Sequence, residues 1–215
     1  FLDYDQRLNL SDLLQDAINR NPEMKPIKKD SRISLKDTQI GNLTNRITFI
    51  SKAIQRLTKL QIIYFANSPF TYDNIAVDWE DANSDYAKQY ENEELSWSNL
   101  KDLTDVELYN CPNMTQLPDF LYDLPELQSL NIACNRGISA AQLKADWTRL
   151  ADDEDTGPKI QIFYMGYNNL EEFPASASLQ KMVKLGLLDC VHNKVRHLEA
   201  FGTNVKLTDL KLDYN

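Results

Sequence analysis

The feature that most constrains how this chain can fold is a short apolar pattern that returns seven times, most clearly over residues 127–138. There the order is Leu127, two residues, Leu130, one residue, Ile132, two residues, Asn135, and then a later apolar residue at Ile138. Aligned on the small polar residue that closes each copy, the others are Ile33, Leu35 and Thr38; Leu60, Ile63, Phe65 and Ser68; and Leu103, Val106, Leu108 and Cys111. Ile160, Phe163, Met165 and Asn168, then Leu185, Leu188, Cys190 and Asn193, and finally Leu207, Leu210, Leu212 and Asn215 complete the series. The closing slots lie 24 residues apart from 111 to 135, 25 from 168 to 193 and 22 from 193 to 215.

Alternating apolar residues mark a short strand with one buried side. A single copy cannot bury its two inward residues, so neighbouring copies must stack to supply the missing walls. Asn at the closing slot can turn inward and satisfy backbone groups where the chain leaves the strand, because its amide both donates and accepts. Thr38, Ser68 and Cys111 do this less completely, which predicts a looser first half.

This pattern resembles the leucine-rich repeat signature L-x-x-L-x-L-x-x-N/C-x-L, and its spacing falls within the roughly 20 to 29 residues of such repeats. The resemblance covers about residues 30–215. More closely, the runs at 47–70, at 99–118 with Tyr109-Asn110-Cys111-Pro112-Asn113, and at 131–139 with Asn131-Ile132-Ala133-Cys134-Asn135 are similar to secreted or surface-anchored leucine-rich repeat proteins of gut Bacteroidetes. The resemblance implies a right-handed α/β solenoid, with short parallel strands on a concave face and helices on the convex face. It also implies a secreted or surface-exposed bacterial interaction module that is not an enzyme, with no functional residues to carry over.

The organisation expected along the chain is an N-terminal helical cap over 1–29 and a repeat domain of about seven repeats over 30–215. In the cap, Ser11 is an N-cap candidate and Leu13, Leu14, Ala17 and Ile18 share one helical face; the same stretch also fits the tail of a separate domain. The return segments show helical spacing at Ile50, Ile54 and Leu57 and at Leu179, Met182 and Leu185, with Leu117-Pro118 and Phe173-Pro174 as entries. Two long intervals predict helical insertions near 71–95 and 139–152. In the first, Ile75, Trp79, Ala82, Tyr86 and Tyr90 share a face. In the second, Ile138, Ser139, Gln142 and Leu143 fit a hydrophobic staple around a capping box, and Leu143, Trp147 and Leu150 form the apolar stripe. The matching pairs Asp78-Trp79 and Asp146-Trp147 suggest two related insertions, each anchored by its Trp. Because the pattern stops at Asn215 on a consensus position, further repeats are expected to follow.

A formal charge of −9 argues against nucleic acid, whose phosphates require a basic footprint. No apolar run reaches the roughly 20 residues of a membrane-spanning helix. The chain starts at Phe1 rather than Met, which fits a trimmed or mature fragment and leaves export open. Cys111, Cys134 and Cys190 read as small packing residues, not as a disulfide framework. His192 and His197, either side of Asn193, read as turn or surface residues. No phosphate loop, nucleophile elbow or zinc-binding helix pattern is present, so no catalytic residue, metal site or cofactor is assigned. The acidic run at 151–157 reads as a solvated loop and not as a calcium site, because it lacks alternating ligands and a central Gly. Asn9, Asn42 and Asn113 open N-x-[ST] sequons, relevant only in a eukaryotic secretory pathway.

A binding face follows from the alternation of strand side chains. The middle outward positions are Ser34, Tyr64, Glu107, Asn131, Tyr164, Asp189 and Lys211. Neighbouring columns add Arg32, Lys36, Ile62, Asp105, Tyr109, Ile162, Leu187, Asp209 and Asp213. Tyr64, Glu107, Tyr109, Asn131, Tyr164, Asp189 and Lys211 are the candidate ligand-binding residues, since exposed Tyr, Ile and carboxylates fit a protein-binding surface. The partner expected is a protein. A glycan stacked on Tyr64, Tyr109 and Tyr164 is the alternative, and a purely structural spacer is the third reading.

Overall fold

The structure, a computed structural model, describes residues 32–34, 50–69, 75–77, 95–202 and 206–215. Its central feature is a sheet of seven strands, each three residues long and every neighbouring pair parallel. In sheet order these are β1 (Arg32–Ser34), β3 (Ile62–Tyr64), β5 (Asp105–Glu107), β6 (Ser129–Asn131), β7 (Ile162–Tyr164), β8 (Leu187–Asp189) and β9 (Asp209–Lys211). Each later strand adds to the same edge, which is the stacking that the recurrent pattern predicts.

The strands are short because only their middle residue points inward, and the chain must turn soon after. Ile63, Val106, Leu130, Phe163 and Leu188 are mutual register partners from β3 to β8 and are fully or almost fully buried. Two residues later Phe65, Leu108, Ile132, Met165 and Cys190 form a second buried column. Leu60, Leu103, Leu127, Ile160 and Leu185 make a third, three residues before the first. Burying each such side chain stabilises by about 1.5–3 kcal/mol. No single turn of the chain could do this alone.

The helical insertion at 139–152 forms as α1 (Ala140–Asp152), with Ser139 as N-cap accepting from the Gln142 N–H. Ile138 and Leu143 are buried, as the staple requires. Only half of the capping box forms, because the Gln142 amide donates to Asp146 Oδ1 and does not turn back. Trp147 is fully buried, edge-on to Phe163 and Phe173, with its Nε1 on Met182 Sδ at 3.4 Å. Asp146 beside it accepts the Leu117 N–H at 2.8 Å. The Asp-Trp pair thus ties one turn's backbone and fills the next turn's core.

Elsewhere the convex side is built mostly of 3-10 turns, at Lys52–Arg56, Trp97–Asn99, Asp119–Asp123 and Gly157–Lys159. The only other α-helix among the described residues is the four-residue α2 (Ser176–Leu179). Apolar residues at helical spacing are buried as expected, including Ile54, Leu57, Leu179, Met182 and Leu185. What limits the helices is local. Leu124, for example, precedes Pro125, which forces it into extended backbone (φ −83, ψ 110) and ends the Asp119–Asp123 turn.

The expectation for the first insertion needs correcting at its start. Ile75 lies in a strand, β4 (Ile75–Val77), which pairs in parallel with β2 (Ile50–Ser51) in a separate two-stranded sheet. Residue 50 likewise is strand, not helix. Trp79, Ala82, Tyr86 and Tyr90, the N-terminal cap, Lys36, Thr38 and the sequons at Asn9 and Asn42 lie outside the described residues. The acidic run is also more ordered than a solvated loop. Ala151 and Thr156 are buried, and Asp153 Oδ1 accepts from the Asp155 and Thr156 N–H groups.

Candidate concave binding face

The closing slots fix the geometry of the face. Asn135 donates its amide to the Leu108 and Ile132 carbonyls at 2.7 and 3.0 Å and accepts the Cys111 N–H at 2.7 Å. Asn168 repeats this one turn on, donating to Ile132 and Met165 and accepting from Asn135 N–H. Asn193 and Asn215 donate in the same way, but their oxygens take the Leu170 and Val195 N–H groups. Each of these amides, buried at Asn135, Asn168 and Asn193 and exposed at Asn215, therefore ties two successive turns, and the outward side chains inherit that alignment.

The consequence is one straight row. Tyr64, Glu107, Asn131, Tyr164, Asp189 and Lys211 are consecutive register partners across β3, β5, β6, β7, β8 and β9. Tyr64, Glu107, Asn131, Tyr164 and Asp189 are half-buried and Lys211 is exposed. Ile62, Asp105, Ser129, Ile162, Leu187 and Asp209 make a parallel row two residues earlier. Lys211 Nζ lies 3.6 Å from Asp189 Oδ2.

Tyr109 falls outside that row. It stands two residues beyond Glu107, and its phenol is held above the ordinary value first by a hydrogen bond to the Cys134 side chain and by that thiol's charge. Tyr64 and Tyr164 share the row but are three strand steps apart, about 14 Å at the usual spacing. Tyr64 and Tyr164 therefore do not form one continuous stacking platform.

Sequence reasoning missed a further column at the rim of this face. The residue before each slot is left-handed: Asn67, Asn110, Cys134, Tyr167, His192 and Tyr214 all have φ between 50 and 65. Tyr167, His192 and Tyr214 stack on one another, with ring centroids 4.2 and 4.3 Å apart. Asn110 donates to Asn67 Oδ1 at 2.6 Å in the same column. The signal was present, since no β-branched residue precedes any of these slots, and such residues tolerate positive φ poorly. His192 is accordingly a stacked rim residue, while His197 is exposed.

Burial pushes the Cys111 thiol up to about 12 and raises Cys190 well above its ordinary value, so both are neutral packing groups. All three cysteines are free thiols. Among the described residues no group of three or more His, Cys, Asp or Glu could hold a metal ion, and no helix is long and apolar enough to cross a membrane.

Short parallel strands stacked through an inward asparagine ladder, with apolar columns behind them, define a leucine-rich repeat solenoid. The chain has the leucine-rich repeat fold. It is similar to the solved structure of a leucine-rich repeat protein from Bacteroides eggerthii, with 61% identity and a TM-score of 0.73 over 96% of this chain. The match spans only 34% of that protein's length. An internalin C2 from Listeria monocytogenes is similar at 17% identity, over 80% of this chain and 67% of that one, with a TM-score of 0.45. No family model and no curated protein matches the chain.

Proposed function

We propose that this chain is a non-enzymatic interaction module of a secreted or surface-exposed bacterial protein, and that its concave sheet binds a protein ligand. The observation that carries the reading is the aligned outward row from Tyr64 to Lys211. Large amphipathic and charged side chains stand there half-exposed on a rigid sheet, at positions where packing of the solenoid makes no demand on residue type. Fixed backbone with partly desolvated Tyr is the form that binding hot spots take.

Site-specific photocrosslinking tests this. A benzoylphenylalanine replacing Tyr164 should trap a discrete protein from a mixture of host mucosal and bacterial surface proteins, whereas one replacing Ala145, exposed on α1, should not. Trapping from residue 145 alone, or from neither, would count against the concave face. Protease accessibility of the full-length protein on intact cells tests the location separately.

A further inference from the structure

Among the described residues, carboxylates without an ion pair stand on both sides of this solenoid, with Asp123, Asp153, Glu154, Asp155, Glu171 and Glu199 among those away from the concave sheet. Away from the concave sheet five ion pairs among the described residues join neighbouring turns: Lys59 with Asp102, Lys144 with Glu172, Arg149 with Asp119, Lys159 with Glu126 and Lys181 with Asp152. On the concave sheet one pair of this kind occurs, Lys211 with Asp189. Asp105, Glu107, Asp209 and Asp213 have no ion-pair partner among the described residues. Asp105 and Asp209 are instead each oriented by the preceding threonine hydroxyl, at 2.6 and 2.9 Å. Unneutralised carboxylates on a concave arc reinforce one another's potential, which attracts cations to that face.

Their placement is bipolar. Asp105 and Glu107 stand on β5, and Asp209 and Asp213 on or just after β9, with Asp189 on β8. Between them, β6 and β7 present the uncharged Ser129, Asn131, Ile162 and Tyr164. From β5 to β8 is three strand steps and to β9 four, about 14 and 19 Å.

We propose that the concave sheet receives a basic segment of its protein partner, in which Lys or Arg side chains flank an apolar or aromatic residue. The central residue packs on Tyr164 and Ile162. The flanking cations meet Asp105 and Glu107 on one side and Asp209 and Asp213 on the other. An extended segment rises about 3.3 Å per residue, so the two cations stand about six residues apart. Tyr faces beside the carboxylates add cation–π attraction for the same groups. This inference rests on the concave-binding reading and specifies its ligand.

Selection of a random phage-displayed dodecapeptide library on the immobilised chain tests it. Enriched peptides should carry two basic residues about six apart around an apolar one, and their affinity should fall about tenfold between 50 and 500 mM NaCl. A variant with Asp105→Asn, Glu107→Gln, Asp209→Asn and Asp213→Asn, matched to the parent by thermal melting, should bind them at least tenfold more weakly. Enriched peptides without basic pairs, equal binding to the neutralised variant, or no enrichment at all overturns the proposal. Peptides that ignore the neutralised variant but lose binding on Tyr164→Ala sink the charge assignment and keep the concave face. Peptides indifferent to both sink the concave face as well.

Discussion

The turns that close on Asn and the turn that closes on Cys111 perform the same task with different chemistry. At Asn135 and Asn168 one amide donates two hydrogen bonds and accepts a third, all at 2.6 to 3.0 Å. At Cys111 the thiol donates to the Phe65 carbonyl at 3.2 Å and to the Tyr109 carbonyl at 3.7 Å. Ser68, one turn earlier, donates its hydroxyl to the Ala66 carbonyl two residues back, at 3.3 Å. Thiols are weak donors and weak acceptors. The difference teaches that burial is common to both regions, since Ser68, Cys111 and Asn135 are all fully buried. What differs is the group that ties the turns: an amide with two donors and an acceptor at Asn135 and Asn168, a single thiol at Cys111.

The largest test of that contrast is Asn168→Ala. It leaves the buried Asn135 N–H without its acceptor and takes one of two donors from the Ile132 and Met165 carbonyls, so a loss of about 3 kcal/mol is expected in urea unfolding. A loss below about 1 kcal/mol would show that the amide ladder does not hold the turns together. Trp147→Ala is expected to cost a similar 3–5 kcal/mol through its cavity against Phe163 and Phe173, measured in the same way.

A gain should be obtainable on the other side of the comparison. Cys111→Asn places an amide where Phe65 and Leu108 offer carbonyls, and about 1 kcal/mol of added stability is expected. No gain would mean that the first turns are spaced for sulfur and cannot accept the amide.

The buried Asp146 gives a smaller, pH-dependent effect. Burial raises its pKa above the ordinary value, outweighing the hydrogen bonds from Leu117 and Gln142 that act the other way. A carboxyl raised on folding binds its proton more tightly in the folded state, so its charged form costs stability at neutral pH. That cost is relieved as pH falls through the raised value towards about 3.9. Asp146→Asn should remove this relief, seen as a difference in Tm against pH between parent and variant. Asp152 and Glu172, whose partners Lys181 and Lys144 lower them, act in the opposite sense and cancel in that difference.

The mildest test is thiol reactivity. Cys134 is half-buried at the rim, while Cys111 and Cys190 are buried with raised pKa values. In native protein at pH 8, iodoacetamide followed by peptide mass spectrometry should find Cys134 modified well before the other two.

The parallel strands, the buried columns and the outward row were legible in the sequence because they follow from a two-residue alternation repeated at one interval. Asn135, Asn168, Asn193 and Asn215 were legible for the same reason. A side chain that serves the contact between turns must recur in every turn. The second insertion was legible from Ser139 and the Leu143-Trp147-Leu150 stripe, which are local signals.

What only the tertiary structure decided are the features that depend on neighbours distant in sequence. Ile75 reads as helix from its own surroundings, yet it is strand because Ile50 offers it an edge. Tyr109 reads as an outward residue of the neighbouring column, and only the structure brings it against Cys134 of the next turn. The Tyr167, His192 and Tyr214 stack and the ion pairs between turns arise only when residues 22 to 43 apart in the chain are brought together. Sequence periodicity determines which residues share a column. The distance between columns, and hence which charges meet, is a property of the packed solenoid.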